Sequence, residues 1–171
     1  MIKLTDSEYA VFYKTYINTL TGNDYDVIEN LDASYAEAKK LFKSIPAEKH
    51  LYRYAPGKWT IKELLQHLID TERVFAYRAL RFSRNDSTDL PGFDENEFAG
   101  NCNANDRPFG ELLSEFELIR ASSIALFRSF TDEMLFRKGI TNGNSMSVRA
   151  AGYIISGHLL HHLQVIKERY L

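Results

Sequence analysis

The stretch Ser147-Val148-Arg149-Ala150-Ala151-Gly152-Tyr153-Ile154-Ile155-Ser156-Gly157-His158-Leu159-Leu160-His161-His162-Leu163-Gln164-Val165-Ile166 reads as one helix. At about 100° per residue, Val148, Ala151, Ile154, Ile155, Leu159, Val165 and Ile166 fall in a single arc that must face a core. His158 and His162, spaced i and i+4, lie inside that arc, and His161 falls at its edge. Ser145 or Ser147 caps the start, and the helix runs to near Leu171.

Outward from this helix, the same 3.6-residue period recurs and no run alternates with period two. A first helix is expected over residues 7–20, stacking Tyr9, Phe12, Tyr13, Tyr16, Ile17 and Leu20 before Thr21-Gly22-Asn23 ends it. A second is expected over residues 24–44, with Val27, Ile28, Leu31, Tyr35, Ala38 and Phe42 on one stripe and Pro46 as its stop. Thr60 and Glu63 form a capping box that opens a third helix to about Arg84. Pro108 suits the first turn of a fourth, which reaches about Phe130. A short Thr131-capped turn and a loop from Lys138 to Asn144 lead into the last helix. Four helices of more than 20 residues each are expected, which makes the chain all-α, a four-helix bundle with a short extra N-terminal helix.

One long loop, Asn85 to Arg107, separates the third and fourth helices and carries Asp86, Asp89, Asp94, Glu95, Glu97 and Asp106. Loops of that length cross over a bundle or cover a site. The acids do not match a calcium loop, because Asp94-Glu95-Asn96-Glu97-Phe98-Ala99 lacks a third oxygen ligand and the glycine.

The composition narrows the chemistry. The 171 residues suit a single domain, 1–171, with residues 1–22 as an N-terminal helical appendage. Twenty-one basic and 23 acidic residues give a net charge of −2, so there is no basic excess to favour nucleic acid or an anionic membrane surface. No apolar run approaches the roughly 20 residues of a membrane span, and Met1-Ile2-Lys3 does not open an apolar signal segment. A cytoplasmic, reducing location is expected. The lone Cys102 excludes a Cys-rich zinc site.

Any metal must therefore rest on nitrogen. Two imidazoles one turn apart on a buried face are costly unless hydrogen-bonded or metal-bound, and i, i+4 is a spacing at which helical histidines share one ion. Two hydrogen-bonded core histidines are the competing reading. His67, mid-length in the third helix beside Ile61, Leu64, Leu65, Leu68, Phe75 and Ala79, offers a third ligand. His50 has no such placement, and Cys102 is at most a soft fourth ligand. Three neutral imidazoles leave a position open on a divalent ion, where water is activated or a thiolate generated. Neutral ligation also predicts metal loss as pH falls through roughly 6.

Asp70 and Glu63, at i+3 and i−4 from His67, share its flank. Asp70 is the candidate to orient an imidazole or act as a base, whereas Glu63 reads as a solvated helix carboxylate. Glu72 and Arg120 sit on apolar stripes and are expected to pair.

The segments Lys58-Trp59-Thr60-Ile61-Lys62-Glu63, His67-Leu68-Ile69-Asp70, Glu72-Arg73, Gly157-His158 and His161-His162 resemble the DinB/YfiT-like superfamily of metalloenzymes. Arg78-Ala79-Leu80 and Leu90-Pro91-Gly92-Phe93-Asp94 look like its DinB_2-type branch. The resemblance implies a four-helix bundle whose histidine triad is His67, His158 and His162. It also implies nickel or zinc, and a homodimer. It further implies either hydrolysis or transfer of a low-molecular-weight thiol such as bacillithiol, acting on a small molecule. Many members carry an acid after the first histidine of the last helix, where this chain has Leu159; that removes one base. A non-catalytic bundle, metal-stabilised or ligand-binding and linked to stress response, is the alternative.

Overall fold

The computed structural model describes residues 4–22 and 24–171. Met1-Ile2-Lys3 and the Asn23 of the expected helix stop lie outside the described residues.

Four helices form the bundle: α2 (Val27–Ser44), α3 (Ile61–Ser83), α5 (Phe109–Arg128) and α7 (Val148–Arg169). Their lengths are 18, 23, 20 and 22 residues, so two of the four fall short of the expected length. Side-chain caps fix where three of them begin. Asp26 accepts from the Glu29 N–H while the Glu29 carboxylate accepts from the Asp26 N–H, at 2.9 and 2.8 Å. Thr60 and Glu63 repeat the device at 3.0 and 2.7 Å, as the sequence predicts. Of the two serines offered for α7, Ser147 is the cap, accepting from Ala150 N–H at 3.1 Å. α2 and α3 each pack against both α5 and α7, so α2 and α3 face each other across one diagonal of the bundle and α5 and α7 across the other.

Shorter elements fill the connections: α1 (Lys14–Asn18), α4 (Glu95–Asn101) and α6 (Asp132–Phe136). The expected first helix is one 3-10 turn followed by only five α-helical residues. Its Ile17 and Leu20 are buried, and α1 packs along α7. The long loop is also partly ordered. β1 (Asp89–Leu90) runs parallel to β2 (Lys138–Thr141), and β2 pairs antiparallel with β3 (Asn144–Ser147). The β2–β3 connection is Asn142-Gly143, both at positive φ of 50° and 71°, as a two-residue hairpin turn requires. Three of the loop's six acids are spent on local structure. Asp94 caps α4 through Asn96 and Glu97 N–H, Asp86 pairs with Arg81, and Asp89 accepts from Gly143 N–H. Among the described residues no helix is long and apolar enough to cross a membrane.

The N-terminal segment is fastened to the start of α7 through Glu8. Its buried carboxylate takes the Arg149 guanidinium through Nε and Nη2, both at 2.6 Å, with Ser147 Oγ at 3.0 Å and Thr5 N–H at 2.8 Å. Burial alone would raise this carboxyl, but the hydrogen bonds, that of Arg149 foremost, overcome it and hold the pKa down to about 2. A lowered folded pKa makes the contribution full above the unfolded value of about 4.5 and lost as pH falls towards 2. Glu8→Gln should therefore cost about 1–3 kcal/mol at pH 7. The gap from wild type in thermal melts should narrow below pH 4.5; a gap independent of pH would show that the charge is not what holds the segment.

Candidate metal centre

α3 and α7 make the most extensive contact in the bundle, and the three histidines sit in that seam. His67 comes from α3; His158 and His162 come from successive turns of α7. His158 is the middle member: its Nε2 lies 3.0 Å from Nε2 of His67 and 3.0 Å from Nε2 of His162. Among the described residues, this is the group of histidine, cysteine or acidic side chains whose ligand atoms all lie within 4.8 Å of one another. His67 and His158 are buried, and His162 is partly so.

The environment keeps the rings neutral. Burial lowers His67 to about 4. Burial, followed by the charges of His67 and His161, lowers His162 to about 3. His158 is pushed well below the usual imidazole value by burial first and its histidine neighbours second. A buried imidazole thus presents a free lone pair not only at neutral pH but well into the acid range. The expected metal loss near pH 6 applies to a solvated imidazole, and burial moves it lower.

The donor set fits a divalent cation. Each neutral ring carries a single proton, so three Nε2 atoms packed this closely cannot all be satisfied by one another; one cation accepts all three lone pairs at once. Nδ1 of His162 is buried without a hydrogen-bond partner, and it carries the ring proton when Nε2 serves as the ligand atom.

Aromatic rings hold the triad in place. The Trp59 ring lies 4.6 Å from that of His67, and Tyr16 meets His158 edge-on at 5.0 Å. Tyr16 can approach because residue 157 is glycine. A Cβ there would sit 2.1 Å from the Tyr16 carbonyl oxygen. Tyr16 brings the expected N-terminal appendage into the site's wall.

Other candidates lie apart from the cluster. His161 packs its ring on His162 at 5.3 Å and His50 stacks on Phe109 at 3.8 Å. Cys102 donates its thiol to Ala99 O at 3.2 Å. The Asp70 carboxylate accepts from Gln66 at 2.9 Å and Arg73 at 3.4 Å. Burial raises its pKa above the usual carboxylate value, against the opposing effects of those two partners. Glu63 is not the solvated carboxylate that its position suggested. It is 9% exposed, because it completes the α3 cap and also accepts from Arg53 and Asn105 at 3.0 and 2.7 Å.

Two cavities meet the triad from different sides. One, of about 310 Å³, reaches His67 and His158 and is walled by Tyr13, Tyr16, Phe75 and Phe93. The other, of about 260 Å³, reaches His162 beside Tyr54, Lys58, Trp59 and Tyr170. Glu95 of α4 lines the first and its neighbour Asn96 the second, so the ordered part of the long loop lies over the site. The sequence reading passed over Thr71 and Arg78 as site residues. Arg78 carried a usable signal, being a charge one turn from Phe75 and on the same flank of the α3 apolar stripe as His67.

A helical bundle with three convergent neutral imidazoles and open space on either side defines a histidine-triad bundle suited to a divalent metal. The chain belongs to the DinB superfamily, whose family model matches residues 30–166. None of the curated proteins matches its sequence. Among solved structures it is similar to YfiT from Bacillus subtilis, described as a probable metal-dependent hydrolase with an unusual four-helix bundle topology. That match has a TM-score of 0.70 at 18% identity, covering 98% of this chain and 90% of the other. It is also similar to a mycothiol-dependent maleylpyruvate isomerase, with a TM-score of 0.64 at 12% identity over 81% of this chain. The match spans 60% of that enzyme's length. At these identities the likeness establishes the fold.

Proposed function

We propose that the chain is a metal-dependent enzyme that transfers a low-molecular-weight thiol to a small electrophilic molecule. His67, His158 and His162 hold a divalent transition metal, nickel or zinc. When bound, such an ion supplies Lewis-acid chemistry, lowering the pKa of a thiol that reaches it. The observation that carries the reading is the pair of cavities meeting one triad from different sides, which suits two reactants brought together. In the reaction the thiol sulfur bonds to the electrophilic atom, the leaving group departs with its electron pair, and the thiol proton passes to solvent. Trp59 and Tyr16 fix the imidazoles.

Hydrolysis is the second reading, favoured by the description of the Bacillus subtilis neighbour. It asks for a base to take a proton from water, and the site offers few. Leu159 stands where many members carry an acid, Asp70 is turned towards Gln66 and Arg73, and Glu63 is held in the α3 cap. Among the described residues, the carboxylate that lines either cavity is Glu95.

The test uses untagged protein. One equivalent of nickel or zinc per chain is expected by elemental analysis. Bacillithiol, glutathione or mycothiol should then be consumed with a model electrophile only by the metal-loaded protein. Turnover of ester or amide substrates without any thiol would favour hydrolysis. Absence of bound metal in untagged protein that also fails to take up added zinc or nickel would end both readings. The homodimer implied by the family resemblance belongs to the same proposal, and light scattering in solution tests it.

A further inference from the structure

The fold contains two buried arginines on the bundle's inner surfaces, and it treats them differently. Arg120, 1% exposed, is satisfied on every side. Its Nε and Nη2 each meet a Glu72 oxygen at 2.9 Å, and its Nη1 donates to Leu31 O at 2.6 Å and Ser34 Oγ at 3.0 Å. Arg78, 3% exposed, has no carboxylate within 4 Å among the described residues. Its Nη2 donates to Pro91 O at 3.1 Å, and the guanidinium lies beside the Tyr13 hydroxyl, 5.1 Å from the Phe75 ring centre and 5.9 Å from that of Phe93. Those contacts use some of its donors but bring no carboxylate into contact with the buried cation, a costly arrangement unless an anion completes it.

The space for that anion is the cavity of about 310 Å³ that ends on His67 and His158, because Arg78 lines it. Thr71 lines it as well, one helical turn from His67 on α3. Thr71 is 5% exposed and its Oγ1 is buried with no hydrogen-bond partner. A buried hydroxyl without a partner and a guanidinium without a carboxylate in contact, on two residues that line one cavity, are the elements of an oxyanion subsite. Glu95 also lines this cavity, and its negative charge disfavours a dianion such as phosphate.

We propose that Arg78 and Thr71 form a carboxylate subsite, so that the small molecule entering beside His67 and His158 carries one carboxylate, with its apolar portion against the Phe75 and Phe93 rings. This names a feature of the substrate in the reading above and rests on that reading only for the ion.

The probe is phenylacetate, with phenylacetamide as its neutral counterpart. Both are titrated calorimetrically into chelator-stripped protein, so that direct coordination to a metal does not contribute. Wild type should bind phenylacetate about tenfold more tightly than Arg78→Gln, the worth of one charge-assisted contact, while phenylacetamide shows no such difference. Thr71→Val should weaken phenylacetate about threefold without lowering the melting temperature, because the hydroxyl it removes bonds to nothing in the protein. Arg78→Lys, which keeps the charge, should recover part of the affinity. If Arg78→Gln fails to fold, Thr71→Val and Arg78→Lys decide the matter. Equal affinity of wild type and the folded variants for phenylacetate, or no saturable binding by wild type, overturns the proposal. The outcome is independent of metal content. Protein that binds no metal yet shows Arg78-dependent binding sinks only the metal reading, and the reverse result sinks only the subsite.

Discussion

Arg120→Ala is expected to lower stability by about 3–5 kcal/mol, because it strands the Glu72 carboxylate in the core. For a chain of this size that is a fall in melting temperature of about 6–20 °C. Glu72 and Arg120 are 3% and 1% exposed and meet through both carboxylate oxygens. Removing the cation leaves an anion with no solvent, and it also removes the donor that Arg120 Nη1 supplies to Leu31 O and Ser34 Oγ. The energetic argument concerns the broken pair and not the intact one. Taking two charges out of water costs several kcal/mol per ion, and their attraction roughly offsets this. Replacing both, as Glu72→Met with Arg120→Met, should therefore recover most of the loss. Arg120→Ala costing under about 1 kcal/mol, or a double replacement as unstable as the single one, would show that the pair does not govern this layer.

The pair belongs to a polar stratum that crosses the bundle at one height. On α3, Leu64 to Ile69 join one apolar cluster and Phe75 to Phe82 another, with Thr71 and Glu72 between. On α7 the division falls at Ser156, Gly157 and His158; on α2 it falls at Ser34, and on α5 at Arg120 and Ser123. The two hydrophobic clusters carry the fold, and the layer between them holds the candidate site. Half of this layer, Glu72–Arg120, is closed by the protein's own charges. The other half, with His67, His158, Thr71 and Arg78 nearby, has lone pairs and donors that the chain itself does not satisfy.

Much of this layer was legible in the sequence because a helix wheel converts residue identity into direction. His158 and His162 on an apolar arc, and Glu72 and Arg120 on apolar stripes, announce themselves as misfits that need partners. The capping boxes at Asp26 and Thr60 differ in visibility only because Glu63 precedes a cleaner apolar run. The small sheet was less visible, since β1 spans two residues and finds its partner 51 positions away. Its hairpin did carry a signal, Asn142-Gly143, which a search for helical periodicity passes over. Arg78 was missed for a different reason. The wheel shows that a charge is buried, but whether a carboxylate comes to meet it depends on which helices become neighbours. Here α2 and α3 occupy one diagonal and α5 and α7 the other, which sequence order does not suggest. The same holds for Glu63, whose burial comes from Arg53 and Asn105 folding over it from the flanking loops.

His158→Ala should leave the chain folded and weaken zinc or nickel binding by about 100-fold or more. A structural zinc site is worth about 10–16 kcal/mol over four ligands, so one ligand accounts for about 3 kcal/mol, or two powers of ten. His158 is the ligand to remove because its Nε2 stands 3.0 Å from both others, so the substitution takes the middle donor from the set. The same buried imidazoles fix the pH behaviour. Their pKa values are lowered, so the neutral, metal-binding form persists as pH falls; a proton competes only near the value of about 4 to which burial brings His67. Wild type should therefore keep its ion after dialysis at pH 6 and pH 5 and surrender it towards pH 4, while His158→Ala should lose it already near neutrality. Because metal stabilises only the folded chain, the rise in melting temperature on adding zinc should disappear in the variant. Metal lost by wild type at pH 6 would mean that these rings are solvated, and unchanged affinity in His158→Ala would place the ion elsewhere.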